Sequence, residues 1–144
     1  MPYKILEDEA TADVAFLVNG KTLDEVFHDS AIACLDTLAD RKTIKPNETL
    51  EFEIKKDSEE KLLFAMLEEI VFLKDTKNMV FSDVKIKISS QAKSFVLKAK
   101  LKGDEINHKK QKLKIDIKAV TLHMFRLSKE KSGKGWEAKL VFDI

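Results

Sequence analysis

The chain has 144 residues, of which 44% are hydrophobic and 35% are charged, a balance typical of one globular domain with a dense charged surface. Its single cysteine, Cys34, excludes an internal disulfide bond, and no apolar run approaches the length needed to span a bilayer. The net charge is +1, divided into −9 over residues 1–75 and +10 over residues 76–144. We therefore expect a soluble, cytoplasmic single domain over residues 1–144, with no membrane association.

The first part of the chain predicts two strands and a helix. Residues 3–7 predict a short strand that leads into an acidic turn, and residues 13–19 predict a strand that is apolar on both faces and therefore central. Thr22 and Glu25 have the spacing of a capping box, in which the Thr22 hydroxyl accepts from the Glu25 amide and the Glu25 side chain reaches back. Apolar residues at helical spacing then predict a helix over residues 23–39.

The next part predicts a loop, a strand and a second helix. Residues 40–47 contain a proline and predict the loop, and residues 50–55 alternate apolar with charged side chains as a half-buried strand does. Asp57 stands three residues before Glu60, the spacing of a second helix cap, and so predicts the start of a helix over residues 58–74.

The second half of the chain predicts a series of strands in which lysines alternate with apolar residues. Strands are expected over residues 83–88, 95–102 and 136–143, with a turn at Gly103-Asp104 after the second of them. The whole pattern predicts an α+β fold, in which two helices pack on largely antiparallel β-sheet.

A further strand is predicted around Lys118. Before this residue the apolar side chains stand at odd-numbered positions, and after it they stand at even-numbered positions. After this residue the apolar side chains fall on Val120, Leu122 and Met124, which are therefore expected to be buried. Lys118 is expected at the border between an exposed and a buried face, or beside a bulge. A half-buried lysine there needs an anion. The alternative is a lysine at the rim of the sheet, whose stem packs while its ammonium group stays in water.

Three carboxylates converge if the first long strand and the last strand are neighbours. Asp13 opens an apolar strand, and Asp143 is followed directly by Ile144 with its main-chain carboxylate. Such a cluster is stable only with a cation or a shared proton. The alternative is that the two aspartates are unrelated acids, solvated at the ends of their strands.

Other kinds of site find little support in the sequence. The lysine-rich strands are not interleaved with exposed aromatic residues, so solvated strands whose lysines blunt edge pairing explain them better than nucleic-acid binding does. The histidines His28, His108 and His123 do not have metal-ligand spacing. There is no phosphate-binding glycine loop and no nucleophile–histidine–acid motif, and so no sign of an active site of its own.

Several short motifs, each weak alone, together resemble the archease family in order and spacing over essentially the whole chain. They are Thr11–Val14, Gly20–Leu23, Lys118–His123, Trp136 and Phe142–Ile144, together with the leucine-rich second helix. The chain departs from the family pattern at two positions. Ala10 stands where the family usually has histidine, and Leu122 where it usually has tyrosine.

The resemblance implies a function and a site. Archeases are small metal-binding accessory proteins of the RNA-splicing ligase that joins tRNA halves, and they promote the guanylylated-histidine intermediate and repeated turnover of that ligase. Carried over residue by residue, the resemblance implies a metal bound by Asp13, Asp143 and the carboxylate of Ile144, and it marks Lys118 as functionally needed. These oxygen ligands fit calcium first, then magnesium or manganese, rather than zinc.

We therefore expect a non-enzymatic, metal-dependent activator of the tRNA-splicing RNA ligase, which it binds transiently, with tRNA as an indirect partner. One alternative is a chaperone or modulator of other RNA-modifying enzymes, such as a tRNA methyltransferase. A second is a stand-alone metal-dependent hydrolase, although the sequence offers no candidate base beyond the metal ligands.

Overall fold

The computed structural model describes residues 3–6 and 13–144. Within these ranges the chain has the predicted α+β fold, with two α-helices, one 3-10 helix and two antiparallel sheets. The helices are α1 (Leu23–Leu38) and α2 (Glu59–Lys77), and the 3-10 helix covers Arg41–Thr43. The strands are β1 (Tyr3–Leu6), β2 (Asp13–Gly20), β3 (Glu48–Lys56), β4 (Met79–Gln91), β5 (Ser94–Glu105), β6 (Ala119–Val120), β7 (Arg126–Lys129) and β8 (Trp136–Asp143). Glu7 and the acidic turn predicted after it lie outside the described residues.

The larger sheet joins the two ends of the chain. Its strand order is β1-β2-β8-β6, and β7 also pairs with β8. β2 is therefore paired on both sides, as its apolar faces predicted. The antiparallel register of β2 and β8 starts with Asp13 opposite Asp143 and ends with Gly20 opposite Trp136.

The smaller sheet has the order β3-β5-β4, with β5 at its centre. The turn predicted at Gly103-Asp104 is wrong, because β5 continues through both residues. A Cβ atom at Gly103 would lie 2.1 Å from the carbonyl oxygen of Val80, beside a register shift between Phe81 and Asp83. The glycine therefore permits a close approach of two strands at a bulge rather than a turn.

Both helices begin at a hydroxyl cap. The Thr22 side chain accepts a hydrogen bond from the Glu25 amide at 3.1 Å, which confirms the Thr22 half of the predicted capping box of α1. The cap of α2 is Ser58, whose hydroxyl accepts from the Lys61 amide at 3.2 Å, and not the predicted Asp57. Asp57 instead forms an exposed ion pair with Lys61 at 3.1 Å.

The helices build the core by contacting strands of both sheets. Their largest fully buried side chains include Phe27 and Leu35 of α1 and Leu63 and Met66 of α2. Cys34 is also fully buried, and burial raises the pKa of its thiol to about 12, as expected for an unreactive core cysteine. No helix among the described residues is long and apolar enough to cross a membrane.

The strand predicted around Lys118 is mostly absent. Residues 112–115 run beside the end of α1, where the Lys114 amide donates to the Leu38 carbonyl at 2.9 Å and the Ile115 amide donates to the Thr37 carbonyl at 3.0 Å. Ladder pairing with β8 covers only Ala119–Val120.

The burial predicted for the residues after Lys118 is correct only for Val120, which is 8% exposed. Leu122 is 71% exposed and Met124 is 48% exposed. The Phe125 amide bonds the Leu122 carbonyl at 3.1 Å, and Met124 takes a left-handed φ of 60°. A turn therefore ends the strand before the alternation can place these two side chains in the core.

Candidate metal site

The two predicted metal-binding aspartates face each other across the larger sheet. Asp13 is the first residue of β2 and Asp143 the last of β8, and the register makes them direct partners. Direct partners in an antiparallel pair have Cα atoms about 4.5–5.5 Å apart, with both side chains on the same face. Both aspartates are partly buried. The condition set by the sequence, that the two strands be neighbours, is met.

Lys118 reaches the same place through its backbone. Its amide donates to the Asp143 carbonyl at 2.8 Å, and the next residue, Ala119, pairs with Asp143 from the side opposite Asp13. The Lys118 side chain is exposed, which fits the alternative of a lysine at the rim of the sheet and not the half-buried setting. Within residues 3–6 and 13–144 its ammonium group forms no ion pair.

Apolar residues lie directly behind the two aspartates. Val14 and Val120 flank Phe142 in the ladder, and Phe142 is fully buried. The ring of Phe142 also packs on Phe16, with ring centroids 5.7 Å apart. Apolar surroundings of this kind have a low dielectric constant. They strengthen both the repulsion between nearby carboxylates and the attraction of those carboxylates to a shared cation.

The donor set fits a hard cation. Across the described part of the chain, no three His, Cys, Asp or Glu side chains are grouped so as to hold a metal ion. Asp13 and Asp143 supply two carboxylates, and the third predicted donor, the carboxylate of Ile144, belongs to the main chain. Calcium takes about six to eight oxygen ligands, so water or a partner would complete the shell. The three donors include no nitrogen or sulfur atom, which makes them a poor set for zinc.

A buried lysine that sequence reasoning missed holds the segment before Lys118. The Lys74 side chain, in the last turn of α2, is only 4% exposed. Its ammonium group bonds the Asp116 carboxylate, the Asp75 carboxylate at 3.0 Å and the Ile117 carbonyl at 2.8 Å. Since Ile117 is fully buried, α2 fixes the backbone immediately before Lys118. The available signal was a lysine placed on the apolar face of a helix.

Burial lowers the pKa of Lys74, but the hydrogen bonds and negative charges of Asp116 and Asp75 outweigh it, and the pKa is raised above its ordinary value. Lys74 is therefore a charged structural clamp rather than a neutral base.

The fold and the site define a class: a small α+β protein with a pair of aspartates where its first long strand meets its last. The sequence profile described as "Archease protein family (MTH1598/TM1083)" matches residues 3–144, and the chain belongs to this family. The protein archease of Thermococcus gammatolerans is 35% identical over 136 residues, which cover 94% of this chain and 95% of that protein. The protein archease of Archaeoglobus fulgidus is 32% identical over 144 residues, the full length of both.

Solved structures agree with this assignment. The solution structure of Methanobacterium thermoautotrophicum protein 1598 has a TM-score of 0.85 and 29% identity, and the match covers 99% of each chain. A Thermotoga maritima crystal structure, described as an archease and possible chaperone, has a TM-score of 0.63 over 96% of each chain. It is 19% identical and supports the fold alone. The predicted family resemblance and the α+β fold are confirmed.

Proposed function

We propose that this protein is a metal-binding accessory protein of the tRNA-splicing RNA ligase, which promotes guanylylation of the ligase's active-site histidine and repeated turnover. The observation that carries the proposal is the direct pairing of Asp13 with Asp143, with the Lys118 amide bonded to Asp143. Family membership also supports it. In this fold, the residues that the resemblance marks as functional lie close together in the larger sheet.

Each residue of this site has a separate role in the proposal. Asp13, Asp143 and the carboxylate of Ile144 would hold a divalent cation, calcium first, with magnesium or manganese as alternatives. Such a cation supplies positive charge that offsets carboxylate repulsion and can attract phosphate oxygens. The exposed Lys118 ammonium, which no described carboxylate neutralises, is available to the ligase or its nucleotide.

The proposed act is transient docking of this end of the sheet at the ligase active site. There the strand ends help to order the nucleotide while the ligase histidine attacks GTP. Electrostatic stabilisation of phosphoryl transfer is the chemical contribution.

We infer that the protein has no catalytic activity of its own. Its only thiol, Cys34, is fully buried with a raised pKa and is therefore a poor nucleophile. Among the described residues, the polar partner of His28 is the neighbouring carboxylate of Asp29, at 3.2 Å. An activator needs no nucleophile or base, because the ligase provides both.

The test is multiple-turnover joining of tRNA halves by the cognate ligase, with GTP and metal. Wild-type protein should increase the number of turnovers, and Asp143→Ala should fold but fail to do so. Glu48→Ala is the matched control, because Glu48 is an exposed acid at the end of a strand in the other sheet. Full stimulation by Asp143→Ala would remove the metal-site mechanism. Absence of stimulation by the wild type would remove the ligase as the partner.

A second candidate function, a chaperone of RNA-modifying enzymes such as a tRNA methyltransferase, is favoured by exposed apolar side chains. Leu122 is 71% exposed and lines a groove of about 360 Å³ together with Phe64 and Phe125, and Met124, two residues further on, is 48% exposed. Exposed apolar surface of this kind can bind partly folded protein. Leu122→Ser should then weaken suppression of methyltransferase aggregation and leave ligase activation unchanged. Equal suppression by Leu122→Ser and wild type would contradict it.

A further inference from the structure

Four lysines stand in two directly opposed pairs on the ribbon formed by β4 and β5. Lys85 is the register partner of Lys100, and Lys87 is the partner of Lys98. They alternate along the strands with core-facing residues such as Ile86 and Leu97, so all four project from the opposite face of the sheet. All four are exposed. We call these four residues the lysine face.

The two opposed lysine pairs between β4 and β5 are unfavourable for the fold. Like charges directly opposite each other destabilise a strand pair, and lysine is depleted in strands generally. Protection of a sheet edge explains the lysines of β4, which is an edge strand. It does not explain Lys98 and Lys100, because β5 is paired on both sides and has no edge to protect. Departures from local stability rules of this kind concentrate at functional sites.

Neighbouring acids neutralise little of this charge. Within residues 3–6 and 13–144, Lys85, Lys87 and Lys98 form no ion pair. Lys100 forms one with Glu51 of β3, at 3.3 Å between two exposed side chains, and such pairs contribute little. Glu53, opposite Lys98 on β3, forms none in the same part of the chain. The positive charge is thus concentrated on β4 and β5, with an acidic border on β3.

We propose that the lysine face binds the phosphate backbone of a nucleic acid. The Cα atoms of neighbouring lysines on one strand are about 7 Å apart, and those of opposed lysines are about 5 Å apart. The four lysines therefore make a compact patch for several phosphates. The acids Glu51 and Glu53 disfavour a broad anionic surface that would cover all three strands, such as a membrane, and leave a strip along β4 and β5 for a single backbone. This surface belongs to the smaller sheet, so the inference does not depend on the proposed metal site.

Binding at this face does not read sequence. In the described three-stranded sheet, the strand positions that share the lysine face include no aromatic residue. Base stacking needs such residues, whereas phosphate contacts position a nucleic acid without specifying its bases. A structured RNA and a DNA duplex of similar length are therefore expected to bind similarly.

The experiment measures binding of a fluorescently labelled transfer RNA, and of a DNA duplex, to the full chain over a salt series. About four phosphate contacts predict a slope of log K against log salt of about −3 to −4. Lys98→Gln with Lys100→Gln should weaken binding at low salt about tenfold or more and reduce the slope by about 2. Lys85→Gln with Lys87→Gln should do the same.

The matched control is Lys109→Gln with Lys110→Gln, an exposed pair outside the sheet that removes the same net charge. This control should change affinity less than about twofold if the lysine face carries the contacts. Melting temperatures should be retained in both lysine-face variants, because the opposed like charges are removed and the exposed Lys100–Glu51 pair contributes little, so lost binding would not reflect lost folding.

Three results would overturn the inference. The first is that the wild type fails to bind either nucleic acid at low salt. The second is that the control pair loses as much affinity as the lysine-face pairs. The third is that polyglutamate or anionic vesicles bind as tightly as RNA with the same lysine dependence, which would assign the face to an acidic protein or a membrane.

Discussion

Lys74 is the residue whose removal should disturb the backbone before Lys118 most directly. Lys74→Met keeps the apolar stem but leaves the Ile117 carbonyl and the Asp116 carboxylate without their donor. Asp116 is exposed and stays solvated, so we expect a loss of about 1–3 kcal/mol in the free energy of unfolding, from the buried carbonyl above all. Denaturant unfolding measures it, with exposed Lys77→Met in the same turn as the control. Equal stabilities of the two variants would contradict the clamp.

The same residue predicts a pH dependence. Because the folded-state pKa of Lys74 is raised, its contribution is fully present below the ordinary value of 10.5 and is lost as pH rises through the higher folded value. The stability difference between wild type and Lys74→Met should therefore shrink only at pH above about 10.5. Tyr3, whose pKa burial raises to about 12, destabilises both proteins equally at high pH and cancels in the difference. Cys34 does not cancel, because burial raises the pKa of its thiol but the nearby Lys74 charge lowers it, so both proteins are compared in a Cys34→Ala background. A difference that fell between pH 6 and 9, well below the ordinary lysine pKa of 10.5, would contradict this assignment.

Lys118 should behave differently from Lys74, because its side chain is exposed. Lys118→Ala should change the free energy of unfolding by less than about 0.5 kcal/mol. It should nevertheless abolish most of the stimulation of ligation, because the positively charged Lys118 ammonium group is lost beside the paired aspartates. Lys112→Ala, another exposed lysine of the same segment, is the control and should stimulate fully. A Lys118→Ala protein that is active, or one that is unfolded, would contradict this role.

At the scale of the elements, hydrophobic periodicity correctly predicted the helices and strands that bury one face. Both helices and the strand β3 follow their apolar patterns, because the core covers one side of each. The strand predicted around Lys118 failed because main-chain bonds from Lys114 and Ile115 to α1 hold the segment before it, and a turn at Met124 then redirects the chain. These bonds join residues distant in sequence, and no local pattern records them.

Gly103 gives a test of strand packing in the smaller sheet. Gly103→Ala places a Cβ atom 2.1 Å from a backbone oxygen, so either β4 or β5 must shift. We expect a loss of about 2–4 kcal/mol in the free energy of unfolding. Gly133→Ala is the control, because it has a φ of 73° but open space around it, and should lose about 1 kcal/mol. A Gly103→Ala protein as stable as wild type would contradict the close approach of the strands.

At the scale of the whole molecule, both sheets combine the acidic and the basic halves of the chain. β2 from the acidic half pairs with β8 from the basic half, and β3 pairs with β5 in the same way. The candidate site depends on the first of these pairings. The sequence alone showed only that the site would form if these two strands were neighbours. The residue types at the site were readable from the chain, but their proximity depends on strand order.

The central claim is that the paired strand ends form a cation site, and calcium titration of the purified protein tests it most directly. Calorimetry should show one saturable site per chain, and calcium at about a hundred times its Kd should stabilise the fold by about 2.7 kcal/mol. Asp143→Asn should lose both effects, and so should a chain extended beyond Ile144, whose carboxylate becomes a neutral amide. Glu48→Gln should keep both effects. A wild-type protein that neither binds nor is stabilised by calcium, magnesium or manganese, or an Asp143→Asn protein that binds as wild type does, would contradict the claim.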